Sequence, residues 1–279
     1  MTVGCIVLGY ANGFVVDAWR ALPVCAALAI LFGAIVFGRA RQQPRLTAGA
    51  TAFLQMTLFT VNGVVLAYVL AAQAGPLLDR ELAAADRYLG FDWATLYRTL
   101  DTVPIAIWIG GIAYHSLTLQ MVVCIVALSA TGRSDRLRLM VAAAVSSGIV
   151  TILISGAVPA MGNVFDPAGY HALWPSVAWL EHDLITGLRD GSVRKLDLTQ
   201  LMGIVTFPSY HATLPIILAW AQRDVARLRI IAPVWAVVTI LATPVFGGHY
   251  GVDVLAGIGL AVGGIAVAPT LTRKRSTTP

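Results

Sequence analysis

Three side chains able to do acid, base or nucleophilic chemistry stand at the edges of segments otherwise suited to lipid: His211, His249 and Asp253. Imidazoles and carboxylates are costly near a bilayer, so three at corresponding depths call for a chemical reason. His211 lies in Thr-Phe-Pro-Ser-Tyr-His-Ala at 206–212, and the other two lie in Gly-Gly-His-Tyr-Gly-Val-Asp-Val at 247–254. Asp253 follows His249 by four residues, which puts both on one helix face. A neutral imidazole nitrogen can attack a phosphoryl group and form a phosphohistidine. A carboxylate on the other ring nitrogen fixes the required tautomer, and Asp253 is spaced to do this for His249. The leaving alkoxide needs a proton, which a second histidine titrating near neutrality supplies, and His211 is the candidate. The Ser209 hydroxyl and backbone N–H groups at a helix start can hold phosphate oxygens. Gly247 and Gly248 permit a sharp turn and close backbone approach to a substrate. Tyr250 stands beside the nucleophile as a hydrogen-bond donor or an interfacial anchor.

Each element has a plainer reading. A histidine at the end of a span is commonly an interfacial hydrogen-bonding residue. An isolated His-x-x-x-Asp serves as a helix-surface pair or half a metal site. The conjunction of Pro-Ser-x-His with Gly-x-His-x-x-x-Asp, one helical hairpin apart, is what favours chemistry.

The elements that must position these groups follow from composition. The chain has 279 residues, of which 58% are hydrophobic and 12% charged, with a mean hydropathy of +0.78. Soluble domains carry about twice that charge, so the composition is that of an integral membrane protein. At about 20 apolar residues per crossing, seven spans are expected, at roughly 19–38, 50–72, 104–129, 139–159, 204–221, 230–246 and 251–269. Residues 1–18 are apolar but broken by Gly4, Gly9, Gly13 and Asp17, and read as an interfacial or outer segment without a signal-peptide cleavage pattern. Cys5, Cys25 and Cys124 are single residues in apolar context, with neither disulfide nor metal-ligand spacing.

The net charge of +5 does not form a nucleic-acid surface. Basic residues fall in four short runs between spans: Arg39, Arg41 and Arg45; Arg133, Arg136 and Arg138; Arg223, Arg227 and Arg229; Arg273, Lys274 and Arg275. This is the positive-inside pattern, and it alternates without conflict when the runs are cytoplasmic. The connections at 73–103 and 161–203 then lie outside, together with all three chemical groups. The first reads as an amphipathic helix, with Leu77, Leu78, Leu82, Tyr88 and Leu89 apolar, followed by Leu-Gly-Phe-Asp-Trp at 89–93. The second is irregular, with turn signals and a set of aromatics (Phe165, Tyr170, Trp174, Trp179) suited to a headgroup-level belt or a lid. Tyr114, His115, Ser116 and Gln120, and likewise Gln55 and Asn62, read as helix–helix hydrogen-bonding groups, and His171 and His182 as exposed loop residues.

The stretches Phe-Pro-Ser-Tyr-His at 207–211 and Gly-Gly-His-Tyr-Gly-Val-Asp at 247–253 resemble the second and third signatures of the type 2 phosphatidic acid phosphatase superfamily. The branch that includes inositol phosphorylceramide synthases and their bacterial relatives is similar also in Gly90-Phe91-Asp92-Trp93 and Pro159-Ala160-Met161-Gly162. The resemblance spans about 75–265. It implies an all-α polytopic transmembrane bundle with a six-helix core at 50–270, an accessory segment at 1–49 and a basic cytoplasmic tail at 271–279. It implies His249 as nucleophile, Asp253 as its orienting carboxylate, His211 as general acid and Ser209 on phosphate, with no metal or other cofactor. The first signature, a Lys and Arg-Pro phosphate grip, is missing, and Thr243 stands where the third signature has arginine. Gly248, Tyr250, Arg189 and Lys195 are the candidates for holding phosphate instead. The expected activity is transfer of a phosphate-containing headgroup or phosphoryl group from a lipid donor to an alcohol, at the extracytoplasmic face of a bacterial plasma membrane. Hydrolysis of a lipid phosphate or polyprenyl pyrophosphate, with water as acceptor, is the alternative, and a transporter with a histidine proton relay is the non-enzyme one.

Overall fold

The computed structural model of the chain describes residues 2–273, and the side chains of 7–273. Lys274 and Arg275, most of the expected tail at 271–279, and the Cys5 side chain lie outside this description.

The architecture is an all-α bundle. A short helix α1 (Thr2–Ala11) and a two-residue strand β1 (Val15–Val16) precede α2 (Ala18–Ala40) and α3 (Pro44–Gln73). Asp17 starts α2 by accepting the backbone N–H groups of Trp19 and Arg20, and Pro44 opens α3 where a missing N–H costs nothing. Two helices, α4 (Asp79–Tyr88) and α5 (Trp93–Asp101), fill the first long connection. Then come α6 (Pro104–His115), α7 (Leu117–Ala130) and α8 (Ser134–Ala157). The second long connection contains α9 (Val177–Asp190) and β2 (Lys195–Leu196), and the chain ends with α10 (Tyr210–Gln222), α11 (Leu228–Ala242) and α12 (Gly251–Thr272).

Among the described residues five helices are long and apolar enough to cross a membrane: α2, α3, α8, α11 with its continuation to Gly247, and α12. The pair α6 and α7, bent by 56° at Ser116, makes a sixth if it is taken as one broken span and not as a re-entrant loop. The expected fifth span at 204–221 is corrected by the structure. Its helix begins only at Tyr210 and has 13 residues, about 20 Å at 1.5 Å per residue, short of a bilayer's hydrocarbon core. Residues 201–209 approach it without helix, because Pro208 and the Ser209 cap delay helix formation until Tyr210. The first connection also differs from the single amphipathic helix expected, since Gly90, with φ +85°, breaks it into two. Of its expected apolar face only Leu82 is buried, whereas Tyr88 is 91% exposed.

The core sits among α3, α7, α8, α10 and α12, where Met56, Ile125, Leu128, Met140, Ile217 and Leu218 are fully or almost fully buried. Polar side chains there bond across helices, as is usual where lipid offers no hydrogen bonds. Tyr210 donates to the Ala144 carbonyl at 2.9 Å, Ser147 to that of Leu260 at 3.2 Å and Gln120 to Thr239 Oγ1 at 3.0 Å. Large apolar side chains on the outside, among them Ile30, Phe32, Leu153, Leu241 and Val262, form the surface a bilayer would cover.

The α2–α3, α7–α8 and α10–α11 turns lie at one end, where Arg136 pairs with Asp224. At the opposite end both long connections meet. The N-terminal segment is built into that end: Phe14 is buried in the core, and β1 pairs in parallel with β2 through Val15 with Lys195 and Val16 with Leu196. Phe165, Tyr170 and Trp174 pack with Tyr97, Leu173 and Phe246, so three of the four loop aromatics are cluster residues. Asp101 fastens the loop, accepting the N–H groups of His171, Ala172 and Leu173, which hold its carboxyl below the usual range.

Candidate active site

The two histidine segments are joined by their backbones. Ser209, the residue before α10, donates its N–H to the Asp253 carbonyl at 3.0 Å. Its hydroxyl accepts the Ala212 N–H at 3.3 Å, an ordinary N-cap. One turn on, Thr213 donates to the carbonyls of Ser209 at 3.0 Å and Gly257 at 2.8 Å, so α10 and α12 touch along their first turns. A side chain at Gly257 would run into the Ser209 carbonyl oxygen.

This arrangement brings His211, His249 and Asp253 together. The His211 and His249 rings lie 6.4 Å apart between centroids and are tilted by 48°. His249 Nδ1 faces Asp253 Oδ2 at 3.4 Å, with 6% and 0% of the two side chains exposed. That oxygen also accepts the Tyr250 N–H at 2.8 Å, while Oδ1 and His249 Nδ1 have no hydrogen bond of good geometry. The contact is long for a hydrogen bond. Tyr114 stacks flat on His211 at 4.4 Å. Gly248, at φ +73°, takes the left-handed turn that leads into His249.

The proposed phosphate contacts fare differently. Ser209 is fully buried at the junction. The Gly248 N–H is bonded to Pro244 O and its carbonyl to the Asn163 N–H. The Tyr250 hydroxyl donates toward Asp79 and Gly162 O, at 3.1 and 3.2 Å. Arg189 donates to the Gly75 carbonyl at 2.7 Å, and Lys195 is ion-paired with Asp17 at 2.9 Å. The structure therefore engages Tyr250, Arg189 and Lys195 elsewhere, because the long connections fold onto α3 and the N-terminal segment. Thr243 bonds back to the Thr239 carbonyl inside its own helix. The helix start at α12 is likewise occupied: Tyr250 N–H goes to Asp253, and the Gly251 and Val252 N–H groups go to the Asp86 carboxylate at 2.7 and 2.9 Å.

Three carboxylates at the site escape motif reading. Asp86, 1% exposed, receives the Trp93 indole N–H at 2.6 Å besides the two amides. It is a brace holding the start of α12, and hence His249, to α4. Asp79 is the second anchor of this brace, accepting from the N–H groups of Met161 and Gly162 and from Tyr250. Glu181 on α9 is 4% exposed. It lines a cavity of about 390 Å³ together with His211, Tyr114, His115, Phe59 and Leu117. Burial alone pushes its carboxyl up to about 8. Two of the three were visible as patterns: Asp86 follows Leu82 by one turn, and Glu181 falls in the stripe of Ala178, Ile185 and Leu188. The second signal required α9 to be recognised as a helix.

The remaining polar residues divide. Tyr114 and His115 border the cavity, whereas Ser116 and Gln120 bond toward α11 through Trp235 and Thr239. Asn62 bonds to the Leu58 carbonyl of its own helix. His182 is exposed and paired with Asp183.

Neither the comparison with curated proteins nor that with solved structures gives a match. The sequence profile of the PAP2 superfamily matches residues 80–267, a stretch that begins in α4, contains both histidine segments and ends in α12. With two thirds of its length covered, the chain belongs to the PAP2 superfamily, whose chemistry is that of phosphatases and phosphotransferases acting on lipid phosphates.

Proposed function

We propose that the protein is a membrane phosphotransferase that moves a phosphate-containing headgroup, or a phosphoryl group, from a lipid donor to an alcohol. His249 attacks phosphorus, its Nδ1 proton directed at Asp253, and the donor's leaving oxygen takes a proton from His211. The acceptor hydroxyl then gives its proton to His211 as its oxygen displaces His249. A centroid separation of 6.4 Å is short enough for both imidazoles to act on one phosphoryl group. Ser209 serves by fixing where His211 begins. The positive-inside distribution of arginines supports reading this end of the bundle as extracytoplasmic, and the resemblance of the motifs supports a bacterial plasma membrane. Residues 50–270 act as the catalytic unit, 1–49 as an accessory segment and 271–279 as a basic tail.

The observation that favours transfer is the cavity next to His211. Phe59, Leu117 and other apolar side chains form much of its wall, and the Glu181 carboxyl, without a hydrogen-bond partner among the described residues, lines it too. Water as acceptor needs no such chamber. An alcohol with an apolar body does, and its hydroxyl would find Glu181 and His211 together. The likeness of Gly90-Phe91-Asp92-Trp93 and of 159–162 to the inositol phosphorylceramide synthase branch agrees with this reading.

The test is to incubate purified protein with phospholipids, lipid pyrophosphates and candidate alcohols and to identify products by mass spectrometry. A new phosphodiester or phosphomonoester of the alcohol is expected. Phosphate release that ignores every alcohol would replace this reading with the phosphatase one.

A further inference from the structure

At the arginine-bearing end, far along the chain from the histidine segments, lies a second cavity of about 600 Å³ between the α2–α3 turn and the start of α8. Its mouth carries Arg39 from the last turn of α2, Arg138 from α8 and Ser134. The charges next to it are Arg41, which lies over the Phe37 ring, and Asp135, which is paired with Arg138. The mouth is therefore net positive. From it a polar ladder descends one face of α3: Thr47, Thr51 and Gln55, spaced i, i+4 and i+8, all line the cavity. Thr47 and Thr51 donate to the carbonyls of Gln43 and Thr47, which leaves their oxygens free to accept.

Gln55 is the residue that lacks an explanation within the protein. It stands eleven positions into a membrane-crossing helix, about 16 Å along the axis at 1.5 Å per residue, and its side chain is exposed. Its amide has no hydrogen-bonding partner among the described residues, unlike Asn62 on the same helix. A primary amide facing hydrocarbon is unfavourable unless something polar meets it. The opposite wall is apolar, formed by Leu137, Val141 and Ala52.

We infer that this cavity is a binding site for an anionic phospholipid. Its phosphate would sit at Arg39 and Arg138, its glycerol-ester region along Thr51 and Gln55, and an acyl chain against Leu137 and Val141. Paired arginines suit a phosphate group, and a basic pocket between helices at the positively charged membrane face is where such lipids bind. The consequence is mechanical: α2 packs mainly on α3, so a lipid touching α2, α3 and α8 gives the accessory helix a second support. The inference is independent of the reaction carried out at the other end.

Protein stripped of lipid in a neutral detergent would be mixed separately with phosphatidylglycerol, phosphatidylcholine and inorganic phosphate. Native mass spectrometry reads retained lipid, and the thermal midpoint reads stabilisation. Phosphatidylglycerol is expected to be retained and to raise the midpoint, phosphatidylcholine to do so weakly, and phosphate not at all. Replacing both Arg39 and Arg138 by Gln should cut phosphatidylglycerol retention roughly tenfold or more, at about 1 kcal/mol per arginine. Gln55→Leu should weaken retention of both lipids. Equal retention of the two lipids by the wild type, or retention unchanged in the double variant, overturns the proposal. Stabilisation by phosphate alone overturns it in favour of a soluble-anion site. Because Arg39 is exposed, Arg39→Gln alone serves if the double variant does not fold.

Discussion

Ser209 hands its backbone N–H to the carbonyl oxygen of Asp253 at 3.0 Å, so the residue that starts one histidine helix is held by the residue that faces the other histidine. With Thr213 bridging to Gly257, the contact makes the His211–His249 spacing a property of two packed helix starts. A methyl group at Gly257 would strike the Ser209 carbonyl, which is backbone and cannot rotate away. Gly257→Ala should therefore cost about 1–3 kcal/mol of stability, as overpacking does. It should also lower lipid turnover on the order of a hundredfold, since displacements near 1 Å have that effect on aligned groups. Thermal unfolding beside the product assay checks both. Full activity in this variant would show that the two helix starts need not be in register.

Under the proposed mechanism His249 and Asp253 separate kinetically. His249→Ala removes the nucleophile and should lower turnover by at least roughly a thousandfold. Asp253→Asn keeps the shape but can favour the wrong tautomer, with a loss on the order of 10²–10⁴ in kcat. If Asp253→Asn instead changes KM with kcat intact, the carboxylate binds substrate and does not orient His249.

That His211, His249 and Asp253 come together was legible because ionisable groups in a lipid-suited chain have few other reasons to be there, and because alternating arginine runs order the apolar segments. The partners of the polar groups around it were not legible. Tyr250, Arg189 and Lys195 are polar groups near the right end, but their partners (Asp79, the Gly75 carbonyl and Asp17) come from distant connections whose folding no local pattern announces. The same holds for the short α10: hydropathy sees an apolar stretch from 204, and cannot see that Ser209 caps a helix beginning only at Tyr210. Asp86 shows the opposite case. Its place on the Leu82 face of α4 was readable, but a lone acid on an amphipathic helix becomes a brace only when Gly251 and Val252 are found against it.

That brace can be tested apart from the chemistry. Asp86 is almost fully buried and accepts three N–H bonds, so Asp86→Ala strands the amides that open α12. A loss of about 3 kcal/mol is expected, in the range for breaking a buried charged hydrogen-bond set. Activity should fall with it, as His249 loses its fixed backbone. Asp86→Asn retains acceptor capacity in one oxygen and should recover part of both. Activity that persists undiminished in folded Asp86→Ala would mean that the His249 loop is held by Asp253 alone.

Glu181 supplies a pH signature. Its carboxyl titrates near 8 in the folded protein against an ordinary value of 4.5, so between those limits the folded state binds the proton that the unfolded state has lost. Stability should then fall as pH rises from about 4.5 to about 8 and level off above, because ionising the buried acid opposes folding. Glu181→Gln keeps the size and removes the titration, so its stability should change less over that window than that of the wild type. In the transfer assay an ionised Glu181 can support the His211 imidazolium as it takes the acceptor's proton, which the neutral amide cannot do. Transfer by the wild type should therefore climb toward pH 8 as Glu181 ionises beside His211, and the variant should lack that rise. If both proteins show the same pH dependence of stability and of transfer, Glu181 neither titrates in this window nor faces the acceptor.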